Sequence, residues 1–145
     1  MTLLIGIGNR DRGDDGAGIE AARYVANLAP SVTVLESRGE AAELIEAWKD
    51  ADIVYAIDCC VSQGVPGMIH RFEAHEAPLP EKIGAVSSHG IGLGTAIELA
   101  RVMNLLPRRL IVFAIEGKKF KSGAPLSAPV ADAALRAAQT IAAEL

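Results

Sequence analysis

Cysteine is scarce in this chain: there are two in 145 residues, and they are neighbours, Cys59-Cys60. Adjacent cysteines cannot close a disulfide without distorting the peptide between them, and no Cys-x-x-Cys spacing occurs. A disulfide framework is thereby excluded, and a reduced, cytoplasmic compartment is the expectation. Long hydrophobic runs are missing too. Leu110–Ile115 is of strand length, far below the ~20 residues of a spanning helix. The opening Leu3-Leu4-Ile5-Gly6-Ile7 has no basic leader and runs straight into Arg10, Asp11, Arg12, Asp14 and Asp15, so no export or membrane signal is read. An excess of positive charge is likewise lacking. Fourteen basic against eighteen acidic residues leave a net charge of −4, which argues against a nucleic-acid partner held through phosphates.

What is present is apolar and patterned. Half of the residues are apolar, enough for one domain, 1–145, around a single core. Short apolar runs alternate with helical spacing. Leu3–Ile7 reads as a buried strand ending in a glycine turn. Ile19, Ala22, Val25, Ala26 and Ala29 predict a helix from about Asp15 to Leu28. Val32–Glu36 is a second strand, and Ala41, Leu44, Ile45 and Trp48 mark a second helix. Ile53–Asp58 is a third strand, buried on both faces, and Met68–Phe72 a shorter fourth. Glu73–Ser88 lacks periodicity, carries Pro78 and Pro80, and reads as a long surface loop. A third helix follows with Leu93, Ile97, Ala100 and Met103 on one face, then a fifth strand, Leu110–Ile115. A last helix opens at Ser127 and Pro129, with Val130, Ala134, Ala137, Ile141 and Leu145 in one stripe. This alternation predicts an α/β three-layer sandwich: a mostly parallel five-stranded sheet with helices on both faces. Ligands are then expected beyond the carboxyl ends of the strands.

The densest chemical signal is the first turn, Gly6 to Gly18. A dinucleotide fingerprint fails there because position 11 is Asp, and no Gly-Lys-Ser/Thr follows. Asp11, Asp14, Asp15 and Glu20 would repel a pyrophosphate. One of Asp14 and Asp15 suffices as a helix cap, which leaves a second carboxylate for the cleft. Asp58 falls at the expected end of the third strand, on the edge where the first strand also ends; alone, it reads equally as a turn cap. Cys59 and Cys60 read as small buried residues, although one could be a soft metal ligand. His70 and His75 read as surface residues. His89, in Ser87-Ser88-His89-Gly90-Ile91-Gly92-Leu93-Gly94, precedes a helix, with Ser88 as a candidate cap. Asp15, Asp58 and His89 make an oxygen–oxygen–nitrogen set suited to a borderline divalent cation such as nickel or zinc.

The residues Gly6-Ile7-Gly8-Asn9, Gly13-Asp14-Asp15-Gly16-Ala17-Gly18, Ile57-Asp58, Ser88-His89-Gly90-Ile91-Gly92-Leu93 and Ile115-Glu116-Gly117 together resemble the hydrogenase maturation endopeptidases, over essentially the whole chain. The resemblance implies an α/β sandwich with aspartyl-type peptidase activity. The implied reaction removes the C-terminal extension of a nickel–iron hydrogenase large-subunit precursor after nickel insertion. It places the catalytic and metal-contacting roles on Asp15, Asp58 and His89, the first with Asp where Glu is frequent. The implied metal is nickel carried by the substrate, with zinc or cadmium able to substitute. Recognition of the metal and activation of a carbonyl or water by it both stay open as its role. No Ser-His-Asp order, activated-Cys pattern or His-Glu-x-x-His helix suggests another peptidase mechanism. Glu73–Ser88 and Lys118-Lys119…Lys121 are read as framing the docking surface for the precursor. The alternatives are a nickel-binding chaperone and a nucleotide-binding α/β protein without peptidase activity.

Overall fold

A computed structural model of the chain describes residues 1–84 and 92–145. Five strands form one sheet: β1 (Thr2–Ile7), β2 (Thr33–Ser37), β3 (Ile53–Cys60), β4 (Ile69–Glu73) and β5 (Arg109–Glu116). A 3-10 turn, Gly13–Gly16, leads into α1 (Ala17–Leu28). The other helices are α2 (Ala41–Trp48), α3 (Glu81–Gly84), α4 (Leu93–Val102) and α5 (Ala128–Glu144). The strand order is β2-β1-β3-β5-β4. All neighbours run parallel except β4, which lies antiparallel along β5 at one edge.

Side-chain alternation divides the core in two. Tyr55, Ile57 and Cys59 of β3, with Ile111, Phe113 and Ile115 of β5, pack under the alanine-rich faces of α1 and α5. Val54, Ala56, Leu110 and Val112 face the other way, onto Leu44, Ile45 and Trp48 of α2 and Ala96, Ile97 and Ala100 of α4. Small residues on α1 and α5 let two helices sit close on one face, while Trp48 fills the opposite layer.

The topology fixes where a ligand can go. From β1 the chain crosses through α1 to β2, on one side; beyond β3 it goes to β4 and β5, on the other. The order therefore reverses between β1 and β3, and the crevice at their carboxyl ends is the favoured ligand position of such sheets.

The structure also corrects several sequence expectations. The helix expected from Asp15 begins at Ala17, because Gly13–Gly16 closes as a 3-10 turn. β3 continues two residues past Asp58, since Cys59 and Cys60 pair with Ile115 and Glu116. The segment after β4 is not one long loop: the Ala74 amide donates to Leu110 O at 2.8 Å, and Glu81–Gly84 is helical. Met103 and Leu145 lie at helix ends rather than in apolar stripes and are exposed. Ser88, considered as a cap for the third helix, lies outside the described residues; the residue before α4 is Gly92.

Trp48 is fully buried, and among the described residues its indole N–H has no hydrogen-bond partner. Removing that donor offsets part of the cost of a smaller ring. Trp48→Phe is expected to lose no more than about 1.5 kcal/mol. Trp48→Ala leaves a cavity and should lose about 3–5 kcal/mol. Urea unfolding monitored by circular dichroism separates the two.

Candidate active site

The site is built where α1 meets the ends of β1 and β3. A Cβ on Gly18 would lie 2.2 Å from Ile57 O and 2.5 Å from Ile7 O. Only glycine lets the first turn of α1 press onto both strands. Gly8 makes the turn before it, with φ +146°. Its missing side chain gives room to the carbonyl of Asp15, which accepts the Asn9 N–H at 3.2 Å. Asp15 is thus held, fully buried, at the entrance to α1.

Asp58 stands on β3, 7% exposed, and one of its carboxylate oxygens accepts the Cys59 N–H at 2.7 Å. Burial pushes the Cys59 thiol well up, and the charges of Asp58, Asp15 and Asp14 push in the same direction. One thiol thus feels carboxylates from both elements, so the turn after β1 and the end of β3 meet at the crevice. Cys59 itself, 4% exposed, is a protonated packing residue, as expected of a small buried side chain. His89 lies outside the described residues.

Asp14 and Asp15 divide the work. The residues at the cap positions, Arg12 before the 3-10 turn and Gly16 before α1, make no side-chain cap bond. Asp14 is fully buried and binds the loop between β5 and α5. Its oxygens accept N–H groups from Lys118 (2.8 Å), Lys119 (2.9 Å) and Ser127 (2.7 Å), and the Ser127 hydroxyl at 2.9 Å. Ser127 precedes α5 as expected, but its hydroxyl serves Asp14 rather than its own helix. Burial pushes the Asp14 carboxyl up, but the Lys119, Ser127 and Lys118 hydrogen bonds outweigh it and hold it below the usual range.

The backbone of the glycine turn leaves little for a phosphate. From Gly8 to Asp15, every N–H except that of Arg10 is donated within the chain. Gly8 donates to Ser37 O, Gly13 to Ala124 O and Asp14 to Lys119 O. A nucleotide site needs those donors turned outward. Beside the turn, a polar cleft lined by Asn9, Arg10, Ser37, Arg38 and Glu43 opens at the ends of β1 and β2.

Two histidines read as surface residues are not. His75 is largely buried, and its Nδ1 accepts the Leu110 N–H at 3.0 Å. His70 Nε2 lies 3.0 Å from Glu116, a fully buried carboxylate at the end of β5. The sequence signal for Glu116 was an acid closing an apolar strand, but its partners could not be read before the strand order was known. Lys118, Lys119 and Lys121 are exposed around half-buried Phe120, as a charged rim beside the crevice.

The sequence model of the hydrogenase maturation protease family (HycI) matches residues 19–144. The chain belongs to that family. It is therefore a peptidase of hydrogenase maturation, not a chaperone or a nucleotide-binding protein. Solved structures agree. The NiFe hydrogenase maturation protease HybD from Thermococcus kodakarensis is 25% identical, with a TM-score of 0.75 over 97% of this chain and 95% of that one. The hydrogenase maturating endopeptidase HybD from E. coli is 21% identical, with a TM-score of 0.77 over 99% and 91%. An endopeptidase from Escherichia coli, 20% identical, reaches 0.82 over 97% and 90%. No curated protein sequence matches this chain. Among the described residues, no helix is long and apolar enough to cross a membrane.

Because the Asp14 carboxyl is held below its unfolded value, its stabilisation is complete above the ordinary carboxylate range and is lost as pH falls through the folded value. Asp14→Asn replaces an acceptor with an amide that cannot serve all these donors. It is expected to cost about 2–4 kcal/mol near neutral pH. The penalty should shrink in acid, as measured by urea unfolding at a series of pH values.

Proposed function

We propose that this chain cuts the C-terminal extension from a nickel–iron hydrogenase large-subunit precursor after nickel has been inserted. In this reading Asp15, Asp58 and His89 contact the nickel that the substrate carries. The observation that supports it best is the meeting of two buried acids, from the turn after β1 and the end of β3, at the reversal point of the sheet. Carboxylate oxygens are hard ligands that suit a divalent cation rather than an anion. His89 joins them on the strength of its place in the sequence, shortly before α4. An imidazole added to two carboxylates gives a set that nickel and zinc accept, and cadmium can substitute.

The ion serves as an address. A precursor lacking nickel offers nothing to these side chains, so cleavage waits for cofactor insertion. The exposed lysines at 118, 119 and 121, just beyond the carboxyl end of β5, are proposed to receive the precursor. The start of the segment 73–88, also expected to frame the docking surface, lies instead at the amino end of β5, where Glu73 pairs with Ile111 and the Ala74 N–H donates to Leu110 O. The action is on a protein in solution, with neither nucleic acid nor membrane as partner.

The test is incubation with nickel-loaded and nickel-free precursor, followed by intact-mass measurement. Loss of the tail from the loaded form alone is expected. No cleavage, or equal cleavage of both, overturns the reading. Asp15→Ala, Asp58→Ala and His89→Ala should each slow processing by more than about a hundredfold with an unchanged circular-dichroism spectrum. A variant that trims the precursor at the normal rate removes that residue from the site.

A further inference from the structure

We infer that Cys60, His70 and Glu116 form a resident zinc site, separate from the side chains assigned to the substrate's nickel. The three come from β3, β4 and β5 and meet because of the register. Cys60 pairs directly with Glu116, and His70 pairs with Ala114, two residues before Glu116 on the same strand. By alternation all three point to one face of the sheet. One ligand atom from each lies within 4.8 Å of the others. Zinc with bonds of about 2.0–2.3 Å holds tetrahedral neighbours roughly 3.3–3.8 Å apart, so small rotations of these side chains suffice.

The chemistry favours a cation at this place. Glu116 is 1% exposed and sits against Ser62, whose hydroxyl and N–H both donate to it. Its ion-pair partner among the described residues is His70 alone. A buried carboxylate beside a buried thiol, with no lysine or arginine paired to it, is costly when charged. A zinc ion replaces the thiol proton, balances thiolate and carboxylate together, and takes the imidazole as a neutral third ligand. His70 is 24% exposed and provides the route from solvent. Three protein ligands leave the fourth position to water. The other comparable group, Glu73, His75 and Glu76, lacks a thiol and is more exposed, and His75 already serves the backbone of β5.

Cobalt(II) is the probe, because its bond to a thiolate gives a near-ultraviolet charge-transfer band that a site of aspartates and histidine cannot give. Titration of the whole chain is expected to show this band saturating at one equivalent, and zinc should abolish it. The band should vanish in Cys60→Ser and persist in Cys59→Ser, Asp58→Asn and His89→Ala. His70→Ala, which keeps the thiol, should weaken cobalt binding at least tenfold and decides the matter if Cys60→Ser fails to fold. Absence of the band, its survival in Cys60→Ser, or unchanged affinity in His70→Ala overturns the proposal. Persistence in Asp58→Asn and His89→Ala separates this centre from the nickel contacts, so either assignment can fail without the other.

Discussion

A carboxylate with no access to water can stay charged only where the protein supplies the donors that water would have given. Asp14 is such a group. Its oxygens take N–H and O–H groups from Lys118, Lys119 and Ser127, and the neighbouring backbone adds Gly13 to Ala124 and Gly123 to Asp11. The turn after β1 is thereby fastened to the connection between β5 and α5. This fastening sets the position of the next residue, Asp15, over the ends of β1 and β3. The acid that touches no substrate holds the acid that is proposed to do so.

Several carboxylates meet at the end of β3, and the Cys59 thiol does not relieve their charge. Burial and the nearby carboxylates keep Cys59 protonated, so it contributes volume rather than reactivity. The first glycine turn spends its amides on its own chain, which makes the same segment a poor cradle for phosphate and a rigid mount for carboxylates. Fold alone would allow either use, because doubly wound sheets place many chemistries at the same seam. The distribution of amide donors distinguishes them here.

Much of this was legible in the sequence. Unbroken apolar runs marked β1, β3 and β5, and the periodicity of Leu44, Ile45 and Trp48 marked α2, because burial on one or both faces writes itself into spacing. Asp15 and Asp58 could be placed on one edge of the sheet from strand–helix alternation. Other features depend on partners far away in the chain. Which of Asp14 and Asp15 serves structure could not be read, because the distant donors of Asp14, around residues 118–127, leave no local trace. The extra length of β3 comes from pairing with β5, not from Cys59 and Cys60 themselves. His70 looked exposed because a five-residue edge strand shows a weak pattern, whereas antiparallel pairing to β5 turns it toward Glu116. The motif containing His89 was read from sequence alone.

The link between Asp14 and Ser127 joins residues separated by most of the polypeptide. Contacts of such span form late, because closing so large a loop costs entropy that few earlier interactions repay. A growing chain can pair β1 with β2 and β3 while still attached to the ribosome, yet Asp14 meets its donors only after the start of α5 has emerged. The mount that holds Asp15 over the ends of β1 and β3 is therefore completed only once the start of α5 is in place.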